Sequence, residues 1–145
     1  MEKISFDTGV KEYEINGSAI LRFNPSDPNV YARFLDAIPR IQALGSEYLD
    51  QAKSGENQTS PAEICIKAMQ EVDSKAKDIL NEVFGCGNDF HKIFAGVNVV
   101  ALRLDGKTRV IDGFFEAMRP IMEGGIKLLV DQENAAVEKY AGDLE

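Results

Sequence analysis

The chain contains 145 residues, of which 44% are hydrophobic and 28% are charged, a composition typical of soluble globular proteins and unlike that of disordered or collagen-like chains. This length suits one domain, residues 1–145, with enough chain to bury a core. The formal net charge of −8 disfavours contact with phosphate backbones and anionic membranes, so we expect no nucleic-acid partner and no membrane partner.

The first predicted element is a β-hairpin within residues 1–25. Asn16-Gly17 is a dipeptide that type I′ turns prefer, because both central residues of such a turn need a positive φ, and apolar residues alternate on either side. Ile4 and Phe6 predict a third strand ahead of the hairpin, which would give a small antiparallel sheet with one apolar face. A sheet this small must pack on helices to be stable.

The remaining residues, 26–145, are predicted to form a region of about four helices. The first helix begins where Ser26 or Asp27 caps its free amides, and apolar residues follow at spacings of three and four. Pro39 interrupts this run, because an interior proline removes a hydrogen bond and clashes with the preceding turn. We therefore expect a kink or break near Ile38.

The second helix is predicted to begin at a capping box, residues 60–63, and to end at Gly85, the natural left-handed stop. A short third helix of one or two turns is predicted after it, capped by Asn88 or Asp89. Residues 97–104 have a β-rich composition without clean alternation, so an extended link and a short helical link both remain open.

The last predicted element is a long C-terminal helix that begins near Thr108, after a turn at Asp105-Gly106. Pro120 and the glycine pair at 124–125 weaken its middle, so a bend is expected there. Together these elements predict an α+β fold that is mainly helical, with an N-terminal antiparallel β-hairpin packed on about four helices.

Candidate catalytic residues are sparse. The single histidine, His91, has Cys86 close to it in sequence, and Cys65 is the other cysteine, but no third group that would orient a Cys–His pair is identifiable. Gly85-x-Gly87 lacks the further glycine and the lysine of nucleotide-binding loops, and no cysteine or histidine pair has zinc-site spacing. We therefore expect a non-enzymatic protein without a cofactor or metal site.

The sequence carries no predicted membrane span or secretion signal. No uninterrupted run of about 18 apolar residues is present, and the first residues alternate instead of forming a basic and then an apolar segment. We expect a cytoplasmic chain in which both cysteines are reduced thiols, with Cys65 in the core.

The apolar stripe of the C-terminal helix is wider than a single core contact requires. Adjacent apolar pairs at 110–111, 114–115, 121–122 and 129–130 widen it, and methionine side chains adapt to varied partners. This width favours an interaction protein with a second packing surface on the helix, and the alternative is that the whole stripe is core. The candidate partner-binding residues are Phe115, Met118, Ile121, Met122 and Ile126.

Several short segments carry a resemblance that spans most of the chain, namely residues 4–17, 21–28, 79–85, 94–96 with Asn98, 105–106 and 114–120. They resemble the tail assembly chaperones, and proteins grouped with them, of long-tailed, siphovirus-type phages and prophages of Gram-positive bacteria. The resemblance implies a non-enzymatic role in the bacterial host cytoplasm, because such chaperones coat the tape measure protein, form homo-oligomers around it and recruit tail tube subunits.

Two other classes of function remain open. A structural component of the tail module would be retained in purified particles, whereas a chaperone would be absent from them. A small-ligand binding protein or enzyme is the third class, and a deep polar pocket around His91 and Cys86 would favour it.

Overall fold

The computed structural model describes residues 1–54, 61–85 and 87–143. The described residues form one antiparallel hairpin followed by four helices, which confirms the predicted α+β, mainly helical class. The elements in chain order are β1 (Lys11–Ile15), β2 (Ala19–Phe23), α1 (Pro28–Ser54), α2 (Pro61–Phe84), α3 (Phe90–Ile93) and α4 (Val110–Asp143).

The hairpin turn forms as the sequence predicts. Asn16 and Gly17 both have a positive φ, of 50° and 75°, and the Ser18 N–H donates to the Ile15 carbonyl at 3.1 Å. The inward residues of β2, which include Leu21 at 0% exposure, join the core, whereas the alternate residues face solvent. The hairpin thus packs one face on the helices.

The third strand predicted around Ile4 and Phe6 is wrong. Residues 1–10 have no regular secondary structure, and both side chains lie in solvent. The Asn24 side-chain amide donates to the Thr8 carbonyl at 2.9 Å, which ties this backbone to the end of β2 instead of the edge of β1. The alternation of apolar and polar residues is typical of a strand, but it does not show whether a neighbouring strand has a free edge with which the segment can pair.

Asn88 closes the outer edge of β2. Its Oδ1 accepts from the Arg22 N–H at 2.7 Å, and its Nδ2 donates to the Arg22 carbonyl at 3.0 Å, so one side chain takes the place of a neighbouring strand. The same Nδ2 lies 3.2 Å from the carbonyl oxygen of Phe84 at the end of α2. Asn88 therefore joins the hairpin to the helical region.

Replacing Asn88 with alanine is expected to destabilise the fold by about 1 to 3 kcal/mol, because it removes the hydrogen-bond partner of the Arg22 N–H and of three carbonyls, those of Arg22, Phe84 and Gly85. Chemical denaturation monitored by circular dichroism measures the change. Asn134→Ala, at an exposed position of α4, is the control and should stay within about 0.5 kcal/mol of the parent. Equal effects of the two substitutions would contradict a bridging role for Asn88.

α1 begins at Pro28, with Asp27 as its cap, since Asp27 Oδ1 accepts from the Asn29 N–H at 2.9 Å. The helix continues through Pro39, so the predicted break does not occur. Ala37 and Ile41 on either side of Pro39 are buried in the core, and this packing stabilises the helix across the proline.

α2 packs along α1 and ends as predicted, with Gly85 at φ 91° and its N–H donating to the Asn81 carbonyl at 2.8 Å. Ser60, the first residue of the predicted capping box, lies outside the described residues. The predicted cap of α3 is confirmed, because Asp89 Oδ1 accepts from the Lys92 N–H at 3.2 Å.

The link between α3 and α4 is neither a regular strand nor a helix. It is anchored on α2 by Asp73, whose Oδ1 accepts from the Val99 N–H at 2.8 Å, and an isolated bridge joins Leu102 to Arg109. The turn predicted at Asp105-Gly106 is confirmed by the positive φ of Gly106. This link carries the chain from α3 back over the core to the start of α4.

α4 is helical without interruption through Pro120 and through the glycine pair. Its first half lies against the core, with Ile111 among the buried residues. Farther along, Gly125 lies so close to Pro25 that a Cβ built on Gly125 would overlap the Pro25 carbonyl oxygen. The middle of α4 therefore crosses the link between β2 and α1 at a close backbone contact.

Candidate functional site

The structure separates the five predicted partner-binding residues into two groups. Phe115, Met118 and Met122 are buried, at 8%, 3% and 1% exposure, and belong to the core of the monomer. Ile121 and Ile126 are half-buried. Among the described residues, no surface groove is lined mainly by the first group, because α4 packs that face on the core, where the Phe115 ring contacts Phe34 of α1. For these three side chains, the alternative interpretation of the apolar stripe as core is therefore confirmed.

A different apolar groove lies beside this buried face. It has a volume of about 600 Å³ and runs between β1, the end of α3 and the first half of α4. The α4 side chains that line it are Val110, Phe114, Ala117, Met118 and Ile121, and the hairpin contributes Tyr13, Glu14, Ile15 and Asn16. We call it the hairpin groove. The side chains of successive strand residues point to opposite faces of a sheet. Four consecutive residues, 13–16, can therefore line the same groove only if the groove runs along the edge of β1.

The adjacent apolar pairs of α4 divide between these two environments. Phe115 and Met122 are buried, whereas their neighbours Phe114 and Ile121 are half-buried and line the hairpin groove. Two neighbouring helical positions are about 100° apart, so one helix serves both surfaces. The width of the stripe was the only signal of the groove in the sequence. The opposite wall, which includes Tyr13 and Arg103, is brought there by the tertiary fold.

Arg103, which lines the hairpin groove, is held by hydrogen bonds to Glu116 and Thr108. Arg103 donates to both carboxylate oxygens of Glu116, at 2.9 and 3.2 Å, and its Nε lies 2.7 Å from Thr108 Oγ1. The hydrogen bond from Arg103 lowers the pKa of Glu116 and raises that of Arg103. The Thr108 hydroxyl, followed by the backbone N–H groups of Thr108 and Lys107, lowers the pKa of Asp105 to about 2. Both shifts favour the charged form, so Asp105 and Glu116 stay ionised at a lower pH than ordinary carboxyl groups do.

A second apolar surface lies on the far half of α4. We call the residues Ile126, Leu129, Val130, Val137 and Tyr140 the distal stripe. Val130, Val137 and Tyr140 are 47%, 64% and 68% exposed, and Glu133 lies among them. At 3.6 residues per turn these positions continue the face that Met118 and Met122 bury, over about 21 Å of helix. Beyond the half-buried Ile126 and Leu129, the stripe is thus an exposed continuation of the core face.

The candidate catalytic histidine, His91, is exposed at the margin of a broad, open depression of about 490 Å³ that Asn81 and Asp89 also line. Cys86, the cysteine close to it in sequence, lies outside the described residues. Cys65, predicted in the core, is half-buried on α2. Among the described residues, no group of three potential ligands is placed to hold a metal ion.

Comparisons with protein-family models, with curated proteins and with solved structures find no match to this chain. Within the described ranges, no helix combines the length and the apolar character that a membrane span requires. The distal stripe and the hairpin groove are therefore the observations from which a function can be argued.

Proposed function

We propose that this chain is a non-enzymatic assembly chaperone of a phage or prophage tail, and that its distal stripe binds an apolar helical face of a tail protein. One observation carries the proposal: the face of α4 that forms the core continues beyond the core with Val137 and Tyr140 largely exposed. Exposed apolar surface of this kind is costly in a monomer and is typical of interaction sites.

The side chains of the distal stripe indicate what kind of partner would bind to it. An exposed helix face with apolar residues at spacings of three and four packs best against another amphipathic helix. Glu133 lies within the stripe and the chain has a net charge of −8, so a partner helix with lysine or arginine beside its apolar face fits best. The long helical tape measure protein is the partner that the family resemblance implies, with tail tube subunits recruited to the complex.

The competing proposal is a structural component of the tail module, which would use the same apolar surfaces permanently. Mass spectrometry of purified tails separates the two. A chaperone is expected in assembly intermediates and absent from finished particles, and its retention there in stoichiometric amount would replace the chaperone proposal with the structural one.

Val137→Asp and Tyr140→Asp are each expected to weaken binding to the tape measure protein by about tenfold or more, because each removes an apolar contact and places a charge against the partner helix. Both positions are exposed, so thermal stability should stay almost unchanged. Co-purification of the co-expressed proteins and titration calorimetry measure the loss.

Leu128→Asp is the matched control, since Leu128 is 59% exposed on the same helix but lies off the stripe. It should retain the partner. Equal retention by all three variants would reject the distal stripe as the binding surface, and absence of tape measure binding by the parent chain would reject the proposed function.

A further inference from the structure

The start of the chain presents large apolar side chains to solvent. Ile4 is 89% exposed and Phe6 is 80% exposed, and their alternation is that of a strand with one buried face. The hydrogen bond between Asn24 and the Thr8 carbonyl anchors the backbone directly after them. We call residues 1–7 the N-terminal arm.

The two edges of the hairpin differ in how they are covered. The outer edge of β2 is covered at Arg22 by Asn88, which bonds both backbone groups of that residue. β1 pairs with β2 alone in the described sheet, so its other edge has no strand partner there, and Tyr13, Glu14 and Ile15 line the hairpin groove. An open strand edge beside an apolar groove is a template for a further strand.

We infer that the N-terminal arm of a second copy of this chain adds to the outer edge of β1, burying Ile4 in the hairpin groove and placing Phe6 beside the groove, against the start of the strand. In an antiparallel register with Ile4 opposite Tyr13, Phe6 lies opposite Lys11, and both anchors lie on the face of β1 that carries Tyr13 and Ile15. The same register sets Lys3 opposite Glu14, a favourable cross-strand charge pair.

The anchoring of the arm favours a neighbouring copy over the arm's own groove. To reach its own β1, the chain would have to reverse between Asp7 and Lys11 and give up the hydrogen bond between Thr8 and Asn24. An arm from a second copy needs no such reversal and leaves the hydrogen bond between Thr8 and Asn24 intact. The hairpin groove and the distal stripe are separate surfaces, so self-association and tape measure binding can be tested independently of each other.

Analytical ultracentrifugation of the full chain is expected to show self-association that increases with concentration. The double variant Ile4→Asp, Phe6→Asp should raise the dissociation constant by about tenfold or more, because both anchors are lost. Leu104→Asp is the control, since Leu104 is fully exposed outside the arm and the groove and should leave association unchanged. A parent chain that stays monomeric, or equal effects of the arm and control variants, would overturn the inference.

Cysteine cross-linking then tests the register. In a chain with Cys65→Ser and Cys86→Ser, one population carries Ser5→Cys and the other Glu12→Cys, positions that oppose each other in the proposed pairing. Mixing the two under mild oxidation should give a disulfide between copies. If a chain with both cysteines forms only an internal disulfide and the mixture forms none, the arm occupies its own groove and the inference fails.

Discussion

Replacing Met122 with glutamate is expected to unfold the chain. Met122 is 1% exposed and lies in the hydrophobic core, whose buried members are otherwise apolar. A carboxylate at this position would be desolvated without a paired cation, or would have to take up a proton to remain buried. The expected loss is several kcal/mol, comparable with the about 5 to 15 kcal/mol that stabilises a typical domain. Thermal unfolding followed by circular dichroism measures it.

Two controls separate burial of charge from other effects of the substitution. Met122→Leu conserves volume and apolar character, so it should cost less than about 1.5 kcal/mol. Val130→Glu places the same charge on the exposed part of α4 and should change stability by about 0.5 kcal/mol or less. A Met122→Glu chain as stable as the parent would mean that this side of α4 is not packed on the core, and would return Met122 to the partner surface.

Alanine at Gly125 is expected to destabilise the fold, whereas alanine at the neighbouring Gly124 should stabilise it. A Cβ on Gly125 would overlap the carbonyl oxygen of Pro25, a backbone atom that a rotamer change cannot move aside. A Cβ on Gly124 meets open space, so that substitution retains the helix-propensity gain of about 1 kcal/mol. Overpacking at Gly125 costs about 1 to 3 kcal/mol or more, which exceeds this gain.

The glycine pair is its own matched control, because both substitutions add one methyl group to the same helix turn. Urea denaturation of the two variants should move the midpoint in opposite directions relative to the parent. If both substitutions stabilise the chain equally, α4 does not cross Pro25 at backbone contact. The close approach would then give no reason for glycine at position 125.

The candidate surfaces were only partly predictable from the sequence. The doubled apolar positions of α4 indicated a second packing surface, and the division of Phe114 and Phe115 between groove and core agrees with that. Periodicity shows which residues share a helix face but not what covers that face. For Met118 and Met122 the sequence is therefore compatible both with a partner-binding groove and with the core of the monomer. Burial in the monomer is decided by the position of α4 relative to α1 and the hairpin.

Local chemistry determined the elements of this protein directly from the sequence. Asn16-Gly17 adopts the positive φ values of its turn, Asp27 and Asp89 cap their helices, and Gly85 ends α2, because each depends on interactions within a few residues.

Tertiary structure decided the features that depend on residues distant in the chain. Packing keeps α1 helical through Pro39, Asn88 bonds the outer edge of β2 at Arg22, and the N-terminal arm does not pair with the open edge of β1 in its own monomer. The energies of such contacts depend on which surfaces meet in space, and a one-dimensional pattern of apolar and polar residues does not contain that information.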